Sequence, residues 1–193
     1  MKRVLLAGVL GGIAMFLWNS VAHVITPLGE VGVKEIPNEQ PVLAAMSASV
    51  GSAHGFYIFP GMGVPAGASR EQQQAAMREY DKKLAANPSG LLIYHPPGMK
   101  AFTPQQLLTE FAVEVIEALL AVWLLSRTGI GSFGGKVGFV TVLGICGALM
   151  TNVAYRNWNG FPTNYTLVYM LVEIVGFVVV GVVAGLVTKS AAA

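Results

Sequence analysis

Three glutamates lie on one face of an apolar segment. Residues 104–125 are long enough to cross a bilayer, yet they include Glu110, Glu114 and Glu117. At about 100° per residue, these positions fall within roughly 60° of one another on a helix and form one acidic stripe. An ionisable group at membrane depth costs about 2.5 to 3.5 kcal/mol on insertion scales. The stripe must therefore face protein or water, and we interpret it as part of a ligand-binding or proton-binding site.

Polar residues in three other apolar segments are candidates for the same site. With 1.5 Å of rise per residue, antiparallel crossings would place His23, Glu110 and Asn152 in one outer layer, and the other members one or two turns deeper. The opposite half of the segments is almost free of polar groups, which predicts a pocket open to one side and not a continuous pore. The predicted site comprises His23, Asn19, Glu110, Glu114, Glu117, Asn152 and Glu173.

A structural role for these carboxylates stays open, because a glutamate in a membrane helix often only hydrogen-bonds to a neighbouring helix. Carboxylates with a histidine could also hold two metal ions in a helical bundle. That arrangement normally needs a Glu-x-x-His pair on each of two helices, and the sequence has no such pair. A haem with two axial histidines would need a second membrane histidine besides His23. We therefore predict neither a metal site nor a cofactor.

Chemistry outside these segments is weakly indicated. Histidine and methionine suit Cu(I), but here they lie beside turn-forming glycines and prolines, which favours a structural role. Signatures of nucleophilic catalysis, of nucleotide binding and of the His-Glu-x-x-His zinc site are missing from the sequence, so we predict that the protein is not an enzyme. The four soft side chains are His54, Met62, His95 and Met99.

The composition is that of an integral membrane protein. Of the 193 residues, 54% are hydrophobic and only 11% are charged, and the mean hydropathy is +0.60, values that do not describe a soluble surface. The net charge of +2 is too small and too dispersed to indicate nucleic acid as a partner. The single cysteine, Cys146, excludes an internal disulfide.

Four segments have roughly the 20 residues that a bilayer crossing needs: 4–27, 105–126, 137–155 and 164–187. The first is longer than the apolar part of a secretory signal, so we expect a retained helix. Small residues spaced four apart in the apolar segments favour close helix packing. The predicted fold is an all-α membrane protein, a four-helix transmembrane bundle with a small α+β extracytoplasmic insertion between helices 1 and 2.

Basic residues near the span ends indicate the orientation. In a four-span protein, five of them would share one side with no acidic residue among them, which is the bias of cytoplasmic loops, and Arg156 is the exception. Both termini are therefore predicted to be cytoplasmic, in a multi-pass protein of the inner (plasma) membrane. The five residues are Lys2, Arg3, Arg127, Lys136 and Lys189.

Residues 28–104 are predicted to form the extracytoplasmic insertion. Ser69 and Gln72 match a helix-starting capping box, and Asn38 is placed to cap a second helix. Runs of β-branched and aromatic residues between turn formers predict strands. The expected elements are helices over 39–50 and from Ser69 to about 86, with strands over 55–59, 90–94 and 31–36.

Function follows from the pocket and its surroundings. The sequence favours an accessory or ligand-binding membrane protein whose acidic pocket, open to the extracytoplasmic side, receives a lipid headgroup, a quinone or a partner helix. The alternative is proton-coupled transport of a small solute or ion by an oligomer, although the paired, broken repeats typical of transporters are not evident. The expected partners are the lipid bilayer and either another membrane protein or a second copy of the chain.

Overall fold

The computed structural model describes residues 1–188 and divides them between two compact units. The first unit contains residues 1–34 and 101–188, and the second spans Glu35–Lys100. Lys189, one of the predicted cytoplasmic basic residues, lies outside the described residues. In chain order the elements are α1 (Lys2–Ser20), α2 (Glu39–Val50), β1 (Gly55–Phe59), α3 (Arg70–Ala86), β2 (Gly90–Tyr94), α4 (Pro104–Leu125), α5 (Phe133–Ala148), α6 (Ala154–Asn159) and α7 (Thr163–Val187).

Three helical segments of the first unit are long and apolar enough to cross a membrane: Lys2–Ile25, Phe133–Asn159 and Thr163–Val187. Two of them contain a wide π turn, Val21–Ile25 after α1 and Leu149–Val153 between α5 and α6. The chain is mostly helical, as predicted, and these three segments are consistent with a multi-pass membrane protein. The predicted second span does form a helix, α4, but its three glutamates keep it outside this set.

The long helices of the first unit alternate in direction. Val4, Leu125, Lys136 and Thr188 line one cavity of about 150 Å³, so the starts of α1 and α5 meet the ends of α4 and α7. The buried Lys136 Nζ donates a hydrogen bond to the Thr188 carbonyl there, where a cation also complements the dipole of α7. We call this end of the helices the basic end, because it holds the described cations of the predicted cytoplasmic set, Lys2, Arg3, Arg127 and Lys136.

Neighbouring helices approach closely through glycines. A Cβ atom on Gly12 would lie 2.5 Å from the Val115 Cα, and one on Gly181 would lie 2.9 Å from the Val137 Cα. Helix α1 therefore packs backbone to backbone on α4, as α7 does on α5, while α1 also packs along α7 and α4 touches α5 only sparsely. The predicted close packing at these glycines is confirmed. The core beside them is built from small side chains, including Ala7, Ala118, Ala121, Val140, Val180 and Ala184.

The second unit contains α2, α3 and a two-stranded antiparallel sheet in which Gly55 faces Tyr94. The capping box of Ser69 and Gln72 is confirmed, with hydrogen bonds of 3.2 and 2.8 Å. The predicted helix over 39–50 is confirmed and Asn38 occupies its N-cap position, but the Asn38 backbone is left-handed (φ 55°) and its side chain makes no capping hydrogen bond.

The predicted strand over 31–36 is wrong. Within it, Gly32 adopts φ 84° in a turn, a conformation that favours glycine. A Cβ atom there would lie 2.6 Å from the Tyr165 Cβ, so the chain passes directly over α7 at this point. A residue held in that turn cannot extend into a strand.

Candidate functional site

The first buried polar pair joins α1 to α4. Asn19 Nδ2 donates a hydrogen bond of 2.5 Å to Glu114 Oε1. The Glu114 side chain is only 1% exposed, so the acidic stripe of α4 turns inward at this position. The contact becomes possible because Gly12, two turns before Asn19, lets the helix backbones approach. It places Asn19 and Glu114 at one depth, as the sequence predicts.

Two oxygens of this pair have no hydrogen-bond partner among the described residues. They are Asn19 Oδ1 and Glu114 Oε2, and both are buried. A buried acceptor without a donor costs about 1 to 3 kcal/mol. Native proteins leave few such groups, and each one needs an explanation, such as a functional role. A proton, or a donor group on a ligand, would satisfy these acceptors.

The second buried polar pair joins the π turn after α5 to α7. Asn152 is 7% exposed, and its Nδ2 donates to Glu173 Oε2 at 2.9 Å and to the Ala148 carbonyl at 3.2 Å. This arrangement corrects the predicted layers. Asn152 lies beside the deeper Glu173 and not in an outer layer with His23 and Glu110.

Glu117 connects the two pairs electrostatically. Its side chain is half-buried, and its carboxylate interacts with those of Glu173 and Glu110, while Glu114 interacts with both Glu110 and Glu117. Like charges repel one another strongly in a medium of low dielectric constant. A positive charge or a proton among them would relieve that repulsion. We call Asn19, Glu114, Glu117, Asn152 and Glu173 together the acidic layer.

The glutamates of the two pairs occupy equivalent positions in α4 and α7. Each lies ten residues after the first residue of its helix, follows a valine and precedes two β-branched residues. Four residues further on, Ala118 and Phe177 contact Gly11 and Gly144 of the partner helices. The equivalence therefore extends from the sequence to the helix contacts.

The asparagines are equivalent in the same way. Residues 9–11 and 142–144 both read Val-Leu-Gly, and Asn19 and Asn152 each follow this tripeptide by eight residues. A π turn, a feature that occurs frequently at functional sites, begins two residues after Asn19, and another contains Asn152. The first unit thus contains two similar helix hairpins, α1 with α4 and α5 with α7, and each contributes one amide–carboxyl pair.

The two remaining predicted site residues lie at the edge of this layer. Glu110 is exposed, one turn before Glu114 on α4. His23 is exposed as well, and its Nδ1 lies 3.0 Å from the Asn19 carbonyl oxygen. The structure therefore brings five of the seven predicted residues together inside the protein and leaves His23 and Glu110 at the surface nearby.

Sequence reasoning missed a row of aromatic rings at this edge. Its ring centroids follow one another at 5.5, 5.5, 4.2 and 5.6 Å. The regular spacing of the two tyrosines on α7, four residues apart, is the signal that could have revealed it. Tyr165 also interacts electrostatically with Glu173, so the row extends toward the acidic layer. In order the rings are Tyr155, Phe161, Tyr165, Tyr169 and His23.

Trp18 is a further contact that the sequence did not reveal. Its Nε1 donates a 2.9 Å hydrogen bond to the Val172 carbonyl, next to Glu173. An indole N–H inside an apolar helix needs a partner, which is the signal that could have predicted this bond. The bond ties α1, beside Asn19, to α7, beside Glu173.

The chemistry available at the acidic layer is that of carboxylates and amides. Within residues 1–188, no three His, Cys, Asp or Glu side chains are close enough together to hold a metal ion. Carboxylate and amide oxygens accept hydrogen bonds, so the layer suits a group that donates them.

No protein-family model matches this chain, and comparison with curated proteins and with solved structures also gives no match. The role of the acidic layer is therefore inferred from its geometry and chemistry.

Proposed function

We propose that this chain is an integral membrane protein with four spans that binds a ligand at the acidic layer from the extracytoplasmic side. It would act as a ligand-binding or accessory protein, with α4 as the second span. The proposed orientation follows from the basic end, because cytoplasmic ends of spans are enriched in lysine and arginine. Both termini would then be cytoplasmic, and the edge with His23 and Glu110 would face outward.

The surface of α4 supports its assignment as a span. Several exposed side chains of α4 are large and apolar, with Ile116 54%, Leu120 56% and Trp123 48% exposed. Glu114, in contrast, is buried against Asn19. A helix with apolar residues outside and its acid inside is compatible with lipid, because the charge is sequestered by protein.

The observation that carries the proposal is the pair of buried oxygens without a partner, on Asn19 and Glu114, beside two further carboxylates. Acceptors without donors and like charges without a counter-charge require the same kind of occupant. We infer a ligand with a positively charged group that donates hydrogen bonds, such as a protonated amine. A primary ammonium has three N–H donors and one charge, which meets both requirements.

Thermal unfolding of the purified protein tests this proposal. Methylammonium chloride is the probe, and sodium chloride at the same ionic strength is the reference. A ligand at one hundred times its dissociation constant stabilises a folded protein by about 2.7 kcal/mol. We expect methylammonium to raise the unfolding temperature of the wild type, and we expect Glu117→Gln and Glu173→Gln to abolish that rise.

Glu110→Gln is the matched control, because it removes the same charge from an exposed position on α4. It should retain most of the methylammonium effect. Equal stabilisation by the two salts would refute a ligand that donates hydrogen bonds. A loss of the effect in Glu110→Gln equal to that in Glu117→Gln would show general charge screening.

Transport is a second candidate, favoured by the two similar hairpins. Parallel repeats with binding groups near the bilayer midplane are one architecture of secondary transporters, and interrupted helices commonly build their binding sites. Each hairpin here has a π turn next to the acidic layer, at the end of α1 in the first hairpin and between α5 and α6 in the second. In reconstituted vesicles with an outward proton gradient, transport predicts uptake of labelled methylammonium that Glu114→Gln, Glu117→Gln and Glu173→Gln abolish. A binding protein predicts no uptake above empty vesicles.

A further inference from the structure

A groove lies between α1 and α4 at the basic end, at the opposite end of these helices from His23 and Glu110. Its volume is about 740 Å³. The walls are mainly apolar, and several of their side chains are exposed, with Leu5 at 59% and Leu120 at 56%. The lining residues used below are Val4, Leu5, Leu119, Leu120, Trp123 and Arg127.

One rim of this groove carries a fixed positive charge. The Arg127 guanidinium lies 5.2 Å from the centroid of the Trp123 ring, in a cation–π contact that holds the charge above the apolar walls. Lys2 and Arg3 are exposed directly before the lining residue Val4. None of these three cations forms a salt bridge within residues 1–188. The rim therefore has positive charge that no described acidic side chain compensates.

Apolar walls below a basic rim match the two parts of a phospholipid. Acyl chains would cover the exposed leucines, and a headgroup would meet the cations, much as basic pockets between transmembrane helices bind anionic headgroups. An arginine is especially suited to phosphate, because its planar guanidinium can donate two parallel hydrogen bonds. An apolar partner helix would cover the leucines equally well, but it would provide no negative charge to pair with Lys2, Arg3 and Arg127.

We propose that this groove binds one phospholipid with an anionic headgroup, which Arg127 recognises. The site is separate from the acidic layer and does not depend on the function proposed for that layer. Arg127 is held by the Trp123 ring before any lipid arrives, so less side-chain freedom is lost on binding. The chains would lie along the seam where Gly8 brings α1 close to Leu119 of α4.

Lipid selection by the intact protein tests this inference. The protein is reconstituted in nanodiscs with equal amounts of phosphatidylglycerol and phosphatidylcholine, and lipids retained after transfer to detergent are counted by native mass spectrometry. We expect one retained phosphatidylglycerol on the wild type. Arg127→Gln should reduce its preference over phosphatidylcholine about fivefold, the effect of one basic residue at an anionic surface.

Two variants separate recognition in the groove from general charge. Leu120→Trp fills the groove and leaves every cation in place, so it should lower retention as strongly as Arg127→Gln. Arg156 is an exposed arginine outside the basic end, and its Nε donates to Thr163 Oγ1. Arg156→Gln should therefore leave lipid retention unchanged. Retention unaffected by Leu120→Trp, or reduced equally by Arg156→Gln, would overturn the proposal.

The source of the phosphate group is distinguished by competition. Inorganic phosphate added to the detergent solution should not displace the retained phosphatidylglycerol, because it lacks acyl chains for the apolar walls. Displacement by phosphate would instead indicate a site for a free anion. Equal retention of both lipids by the wild type, or a copurified protein in place of any lipid, would also contradict a lipid site.

Discussion

Asn19 and Glu114 form a buried polar contact between α1 and α4. Their hydrogen bond is short, and each residue keeps one buried oxygen without a donor. Each such oxygen lowers stability by about 1 to 3 kcal/mol. A protein that carries this cost next to Glu117 and Glu173 has sacrificed stability at the place where it would bind, as proteins commonly do at functional sites.

Glu114→Gln should preserve or increase stability. The new side chain keeps one oxygen to accept from Asn19 Nδ2, and its own N–H can donate to Asn19 Oδ1, which fills a missing bond. We expect the free energy of unfolding to stay constant or to rise by about 1 kcal/mol. Tryptophan fluorescence during thermal unfolding in detergent measures this change. Glu110→Gln should shift it by less than about 0.5 kcal/mol, and a clear loss of stability in Glu114→Gln would contradict the assignment.

Asn19→Leu should have the opposite effect on stability. It removes the donor and leaves the buried Glu114 with both oxygens unpaired, which should lower the free energy of unfolding by about 1.5 to 3 kcal/mol. Adding Glu114→Leu should recover much of the loss, since an apolar pair of similar shape can replace a buried polar pair. The double-mutant cycle reports this coupling. Additive losses would show that the two side chains do not depend on each other.

At the scale of the helices, glycines set the spacing that allows these contacts. Gly12 and Gly181 have partner backbone within 3 Å of where a Cβ atom would lie, whereas Gly138 of α5 has nothing within 4 Å. Helix glycines in one chain therefore have two different roles. Only the glycines that contact partner backbone, such as Gly12 and Gly181, determine how closely α1 packs on α4 and α7 on α5.

Gly12→Ala and Gly138→Ala should separate these roles. The first places a methyl group against the backbone of Val115 and should destabilise the protein by about 1 to 3 kcal/mol. The second meets open space and should stabilise it by up to about 1 kcal/mol through helix propensity. Thermal unfolding of the two single variants measures both changes. Similar shifts would mean that the α1–α4 contact is looser than described.

The sequence predicted the helices well because length and apolar composition determine them. It also predicted that Asn19 and Glu114 share a depth, since α1 is regular up to Asn19. It failed for Asn152, because the helical segment continues through α6 to Asn159 and does not end at residue 155, so Asn152 lies about one turn deeper than predicted. It failed for the strand over 31–36, because the turn at Gly32 follows from a tertiary contact with Tyr165 that no local pattern reveals.

The two similar hairpins were hidden for a different reason. In the first hairpin, the second unit (Glu35–Lys100) separates the two helices along the chain. In the second hairpin, only residues 160–162 separate the end of α6, which continues α5, from the start of α7. The shared residues are few and lie far apart. Two contacts show that the hairpins correspond. In each hairpin an asparagine amide bonds to a glutamate carboxylate, and a glycine contacts the residue four positions after that glutamate.

At the scale of the whole molecule, the alternation of α1, α4, α5 and α7 predicts a definite topology. In a Cys146→Ala background, cysteines at Gly129 and Ser52 report on the connections after α4 and before it. If α4 crosses the membrane, a membrane-impermeant thiol reagent added to intact cells should label Ser52→Cys and not Gly129→Cys. Labelling of both positions in intact cells would contradict the four-span orientation. Labelling of neither position in intact cells, followed by labelling of both after lysis, would contradict it as well.

The hairpins meet mainly along α1 and α7, because α4 and α5 hardly touch. On that line Gly11 faces Val180 and Gly176 faces Met15, and the hydrogen bond from Trp18 Nε1 to the Val172 carbonyl crosses it. If that bond opens, the contact between α1 and α7 can act as a hinge on which one hairpin swings away from the other. Each asparagine would move together with the glutamate to which it is bonded. The width of the gap between Glu117 and Glu173 would then limit the size of the ligand that enters.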